Sequence, residues 1–435
     1  MASLRAAACA AALVALVIGT AAGCGGSGDA PSTQAASGGG PAANSDATTP
    51  TLADGAGGGP GVGEPWIVSL GDSYISGEGA RWAGNTPGFG AARVDALGPT
   101  AYWDAPTGEA QKGCHRAPGA AAVHVGDEVM LSKNLACSGA QTSTRRSGKL
   151  LTPGLDFHEG PDGNGQLLEL QRFAATHDVR VVAVSIGGND FGFSTALVKC
   201  VAGYVLTPKA APVRCSRIAG VREKFNEQAV AEATEKIRRA YAGIGTAMER
   251  AGYRPDQYTV LALDYPEVLP PSSAMRYREA PGLTRFTTGG CGMWNADIDW
   301  VLDAALPAIA GAIDAGTAAS GLQDVRRIRL ADQYAGHRLC ENTATQVAED
   351  TNWRAPDAVD TAEWVTQVRT ATATSPKYQL VEGMHRNYWG NLSLRACLRE
   401  ATNLVKQGDA RSDWRCVPSG QGLNEKGEPR MALEG

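Results

Sequence analysis

The chain has 435 residues, of which 43% are hydrophobic and 20% charged, with a formal net charge of −5. That supplies apolar material for a large core, and it lacks the basic excess that marks nucleic-acid binding. The first sixty or so residues differ in composition from the rest.

Arg5 precedes an apolar run from Ala6 to Gly19, followed by Ala21-Ala22-Gly23 and Cys24. This is the pattern of an export signal, too short for a membrane span of about 20 residues. Small residues directly before a cysteine also resemble a bacterial lipoprotein signal. On that likeness residues 1–23 are the signal and Cys24 becomes the lipidated first residue, although Ala21 stands where such signals usually carry leucine. Residues 24–63 are almost all Gly, Ala, Ser, Thr, Pro and Asp, with no Lys, Arg or aromatic residue. They bury too little apolar surface to offset their ordering entropy, and a disordered tether is expected. Residues 64–435 are expected to form one enlarged domain with 39 basic and 42 acidic residues.

Beyond Cys9 and Cys24, eight cysteines remain. An even set without a Cys-x-x-Cys pair reads as disulfides in an oxidising compartment rather than a zinc or redox site. Sequential pairing closes only local loops and predicts Cys114–Cys137, Cys200–Cys215, Cys291–Cys340 and Cys397–Cys416. The alternative is that some are free buried thiols.

In chain order, Pro65 to Leu70 is an apolar run bounded by proline and glycine, and predicts a short buried strand. Further strands are expected over 128–136, 179–186, 258–263 and, more weakly, 325–330. Helices are expected over 166–177, 217–251, 296–319 and 391–406. This alternation predicts a parallel, three-layer α/β sheet whose carboxyl ends lie along one edge, where ligands bind.

The residues just past each strand then carry the chemistry. Ser73 comes after the first, Cys137-Ser138-Gly139-Ala140 after the second, and Gly187-Gly188-Asn189-Asp190 after the third. A hydroxyl, a glycine turn and a neutral amide at one edge suit acyl transfer, with a nucleophile and donors for an oxyanion at Ser73, Gly139 and Asn189. The missing base is assigned to His385, just before the last helix, with Glu382 three residues upstream to orient it. His115, His124, His158, His177 and His337 show no partner pattern. Asp72 and Asp190 are read as capping and turn residues, and Ser138 as a turn residue.

These blocks, Gly-Asp-Ser at 71–73, Gly139, Gly-Gly-Asn-Asp at 187–190 and Met-His-Arg-Asn-Tyr-Trp-Gly at 384–390, resemble the GDSL/SGNH hydrolases, in particular their disulfide-bonded extracellular actinobacterial esterases and lipases. The resemblance spans about 65–410 and implies a flavodoxin-like sheet of order 2-1-3-4-5 with a shallow, open site. It also implies a departure, since the family's usual Asp-x-x-His-Pro is here Glu382-Gly383-Met384-His385-Arg386. Some relatives orient the histidine with a backbone carbonyl instead. Loops over 80–126, 191–217 and 266–294 exceed the minimal fold, and Phe191, Phe193 and Trp294 either line an acyl site or pack beneath those loops.

The expectation is an exported, monomeric serine esterase or lipase, lipid-anchored on the outer face of the cell membrane or else secreted, using no cofactor or metal, that acts on a lipid or an acylated carbohydrate. Neither a Gly-x-Ser-x-Gly elbow nor a His-Glu-x-x-His motif occurs. The alternative is a non-catalytic lipoprotein that keeps the fold to bind the cell envelope.

Overall fold

The computed structural model describes residues 59–86, 94–279, 283–346, 352–368 and 379–435. The expected signal, Cys24 and residues 24–58 of the expected tether lie outside the described residues. Residues 59–63, assigned to the tether from composition, form a turn in which Gly59 and Val62 pair and the Gly61 N–H donates to Asp178.

Along the chain, β1 (Pro65–Gly71) runs into a single-turn helix, α1 (Ser73–Ser76), and β2 (Leu131–Asn134) is followed by a small hairpin of β3 (Arg145–Ser147) and β4 (Leu150–Thr152). Next come α2 (Gln166–Ala174), β5 (Asp178–Ser185), α3 (Phe193–Leu206), α4 (Glu227–Arg250) and β6 (Thr259–Leu263). The helix α5 (Asn295–Ala318), with a π-helical stretch at Val301–Ala305, precedes β7 (Val325–Arg329). Finally α6 (Tyr388–Lys406) leads into β8 (Asp413–Leu423) and β9 (Pro429–Glu434).

The main sheet has the order β2-β1-β5-β6-β7-β8-β9, parallel except for β9. Its first five strands have the expected order 2-1-3-4-5, and the terminal hairpin extends it. Each central strand is buried on both faces, which is why its sequence is a continuous apolar run rather than an alternation. Val68, Leu70, Val182, Val184, Val260 and Ala262 pack with Leu167 and Leu170 of α2, Ile237 and Ile244 of α4, and Ile309 and Ile313 of α5. Ile67, Val181, Ala183, Leu261 and Leu263 face the other way, onto Leu394, Leu398 and Ala401 of α6. Burying each such aliphatic side chain stabilises the fold by roughly 1.5–3 kcal/mol, so both helix layers are held firmly to the sheet.

Three element boundaries differ from the sequence reading. The second strand is only Leu131–Asn134, because residues 126–130 turn instead, with Val129 and Met130 N–H both donating to Gly126 O. The long helix begins at Glu227, where Asn226 caps it by accepting from the Ala229 N–H, and residues 215–225 form shorter turns. The last helix starts a turn early, at Tyr388, because Asn387 caps it. All four sequential disulfides are present. The last of them ties α6 to β8.

Candidate active site

The site begins with Gly71. Its φ of +130° is a left-handed value, and a Cβ there would lie 2.0 Å from the Ser185 carbonyl oxygen, so only glycine fits. The Gln166 amide clamps this residue at both ends, accepting from its N–H at 2.7 Å and donating to its carbonyl at 2.9 Å. The chain then turns, and Asp72 caps α1 by accepting from the Tyr74 N–H at 2.9 Å. Ser73 therefore opens a one-turn helix just beyond the strand end.

The other carboxyl oxygen of Asp72 accepts from the Tyr265 hydroxyl at 2.5 Å, and that hydroxyl accepts from the Gly188 N–H at 2.9 Å. A Cβ at Gly188 would meet the Tyr265 ring at 2.9 Å. Tyr265 thus couples the turn after β1 to the turn after β5. Burial pushes the Asp72 pKa up to about 7, against the hydrogen bonds it accepts from Tyr265 and Tyr74.

The turns after β2 and β5 are joined as well. Asn189 donates its side-chain amide to Ala140 O at 2.9 Å and accepts from the Ser194 hydroxyl at 2.9 Å, while the Gln141 amide donates to Asn189 O at 2.6 Å. Asp190 accepts from the N–H and the hydroxyl of Thr142. Gly139 holds φ +76°, its Cβ direction open to 4.0 Å, and the neighbouring Ser138 N–H donates to Cys114 O beside the Cys114–Cys137 bridge. Among the described residues, neither the Ser73 nor the Gly139 N–H donates to another protein group. Two backbone donors are left uncommitted at the carboxyl edge of the sheet.

His385 comes to this edge from the segment before α6. Its Nε2 lies 2.8 Å from Ser73 Oγ, and its Nδ1 lies 3.1 Å from Gly383 O. A ring whose Nδ1–H donates to a carbonyl is held as the tautomer with a free lone pair toward the serine. The segment is fixed by its backbone: the Met384 N–H donates to Thr366 O and the Thr366 N–H to His385 O, both at 2.8 Å. Met384 takes φ +63°, unusual for a side chain larger than glycine, and the Tyr74 hydroxyl holds its carbonyl at 2.8 Å. Burial holds the His385 pKa below its usual value, against the nearby Glu78 carboxylate, which pulls it up. Where the family carries proline, the buried Arg386 lies over the Tyr74 ring, 5.2 Å from its centroid, and donates to Gln333.

Glu382 is a correction. Its carboxylate turns away from His385 and accepts from the Trp82 indole N–H at 2.6 Å and from the Tyr102 hydroxyl. A one-turn helix over Gln379–Glu382 points the side chain into the protein, where it is fully buried. What reaches the histidine is the carbonyl of the next residue. Burial raises the Glu382 pKa to about 7, opposed by the Trp82 and Tyr102 hydrogen bonds. Because Gly383 O, and not Glu382, meets His385 Nδ1, Glu382→Gln should leave kcat within about threefold of wild type if His385 acts as a base. Its effect should fall on stability instead. The folded pKa lies above the ordinary 4.5, so the wild-type contribution is fully present below about pH 4.5 and is lost as pH rises through about 7. Thermal melts across that window should show a flatter pH dependence for the variant than for wild type.

His115, read as partnerless, also needs correcting. Its Nδ1 lies 2.6 Å from Glu78, and its ring stacks on Tyr102 at 4.9 Å. Although burial alone would raise the Glu78 pKa, the His115 hydrogen bond and charge hold it below its usual value, which favours an ionised, buried carboxylate near His385. Glu78 sits in the Gly77-Glu78-Gly79 step of the first block. A charge between two glycines of a strand-end motif was the available signal. Phe191, Phe193 and Trp294 are core residues: Phe191 stacks on Phe225 at 5.5 Å and Trp294 packs on Tyr204 at 4.9 Å.

No family model and no curated protein matches the chain. Among solved structures it is similar to phospholipase A1 from Streptomyces albidoflavus NA297, at 17% identity over 79% of this chain and 99% of that one, with a TM-score of 0.36. It is also similar to an extracellular lipase from Streptomyces rimosus, at 16% identity over 79% and 99%, TM-score 0.33. A third likeness is to the aryl esterase of M. smegmatis, at 12% identity over 78% and 98%, TM-score 0.27. The α/β fold of this chain, with strand order 2-1-3-4-5 at its centre, is the one implied by the resemblance of its sequence to the GDSL/SGNH hydrolases.

Proposed function

We propose that the protein is a serine-dependent carboxylic ester hydrolase. Ser73 Oγ attacks the ester carbonyl carbon while its proton passes to His385 Nε2. The N–H groups of Ser73 and Gly139 and the amide of Asn189 hold the resulting oxyanion. As the carbon–oxygen bond breaks, the imidazolium returns the proton to the leaving alcohol. Water, deprotonated by the same nitrogen, then attacks the acyl-enzyme and releases the acid and Ser73. The observation that carries this reading is the 2.8 Å contact between Ser73 and a histidine whose other nitrogen is held by Gly383 O.

Hydrolysis of aryl esters of increasing acyl length tests the proposal and reports the chain-length preference. No turnover on any of them would favour the non-catalytic envelope-binding reading. Asn189→Ala should lower kcat by about 10²–10³-fold with little change in KM, the cost of losing one oxyanion donor. The reading includes export, for which four disulfides are fitting, and a monomeric enzyme tethered to the outer membrane face through lipidated Cys24. Cys24→Ser should then move the protein from the membrane fraction to the medium, which fractionation of expressing cells would measure.

A further inference from the structure

Beside this site lies a surface of unusual composition. From Phe191 to Arg222 the chain contains Lys199, Lys209, Arg214, Arg217 and Arg222 and no acidic residue, within a protein of net charge −5. The same stretch holds the apolar helix α3. Val198 and Leu206 on that helix are 45% and 47% exposed, and Val213 on the loop after it is 46% exposed. The Cys200–Cys215 bridge staples helix and loop together. Val213 lies against the helix at Gly203, so one disulfide-stapled segment carries three large exposed aliphatic side chains, a candidate interaction surface.

Lys209 lies 3.5 Å from Glu279, and among the described residues Lys199, Arg214, Arg217 and Arg222 enter no ion pair. Asp297 lies beneath the loop but is fully buried, accepting from the backbone N–H groups of Cys215 and Ser216 and from the Ser216 hydroxyl. Asp190, which accepts from Thr142, directly precedes the stretch and Glu223 directly follows it. Four basic side chains without an ion pair thus share this segment with the exposed aliphatic ones.

We propose that α3 and its disulfide-bonded loop form a docking surface for an anionic phospholipid bilayer. Val198, Leu206 and Val213 enter the interface, and the lysines and arginines lie at the headgroup level, as in interfacial helices with an apolar face and a basic rim. The charge complementarity selects an anionic over a zwitterionic surface. Ser194, in the first turn of α3, donates to Asn189, so docking would set the carboxyl edge of the sheet against the lipid. That last consequence rests on the proposed active site, whereas the docking does not.

Hydrogen–deuterium exchange of the full chain with phosphatidylglycerol vesicles tests the proposal locally, because an N-terminal anchor would not protect this segment. Peptides spanning 193–217 should gain protection. The gain should disappear in the Val198→Asp/Leu206→Asp protein and with phosphatidylcholine vesicles. It should weaken in about 1 M salt, where screening shortens electrostatic reach to about 3 Å. An unchanged circular dichroism spectrum would show the variant folded, and the Ser73→Ala protein should dock as wild type does, which separates docking from catalysis. Exchange over 193–217 unaltered by phosphatidylglycerol would overturn the proposal. So would equal protection on phosphatidylcholine, in the double aspartate variant, or from soluble polyglutamate, which would point to an acidic macromolecule instead.

Discussion

Ser73→Ala should lower kcat for ester hydrolysis by about 10⁵–10⁶-fold, the scale of removing the nucleophile from a serine–histidine pair, and leave the fold intact. The change deletes one hydroxyl from a residue whose backbone is set by Gly71 and capped by Asp72, so neither the clamp from Gln166 nor the α1 cap is touched. The loss should be in kcat, since the hydroxyl acts when the carbon–oxygen bond forms. A steady-state assay on an activated aryl ester, with a native circular dichroism spectrum as control, measures it. Turnover within tenfold of wild type would remove Ser73 from the chemistry.

His385→Ala should cost about as much, because among the described residues Ser73 Oγ has no hydrogen-bond partner besides His385 Nε2 to take the proton. Combining it with Ser73→Ala should cost little more than either alone, since the two side chains act as a unit. Burial lowers the His385 pKa, so wild-type kcat/KM should rise along an acid limb with an apparent pKa below the usual value of about 6.5 and reach its plateau by neutral pH. Glu382 also titrates, at about 7. If that carboxylate caused the limb, Glu382→Gln would abolish it, whereas an unchanged limb in that variant, with an apparent pKa well below the value of about 7 that Asp72 shares, assigns it to the histidine.

Much of this was legible in the sequence where local pattern and tertiary role coincide. The central strands are apolar runs because both faces are covered, and the residues after them are catalytic candidates because a parallel sheet gathers its carboxyl ends. Gly71 could be read as a turn, but the reason it must be glycine, the Ser185 carbonyl 2.0 Å from its Cβ direction, comes from a strand more than a hundred residues away. The terminal hairpin was hidden for a similar reason. Asp413–Leu423 mixes charged residues, Gly and Pro with no apolar period, and it becomes a strand through β7, β9 and the burial of Trp414 and Cys416 against α6.

Glu382 shows how spacing can mislead. A carboxylate three residues before a histidine reaches it only if the intervening turn points both inward to the same place. Here Trp82 and Tyr102, supplied by a long loop after α1, capture the carboxylate, and the left-handed Met384 swings the ring back over the Gly383 carbonyl. The tie from Asp72 through Tyr265 to Gly188 was likewise out of reach, since Tyr265 follows a strand to which no role was assigned. The family resemblance covers the nucleophile and the base and leaves open which group orients the base. In this chain the group that meets His385 Nδ1 is a backbone carbonyl, which no side-chain motif records.

The central claim is that Ser73 carries the acyl group. Treating the full chain with an aryl alkylphosphonate, which a serine nucleophile attacks to give a stable adduct, and then mapping peptides by mass spectrometry tests it most directly. The account predicts one adduct per chain, on the peptide containing Ser73, formed in step with loss of activity and far more slowly in the His385→Ala protein. An adduct on Ser138 or another residue, or complete inhibition with Ser73 unmodified, would contradict it.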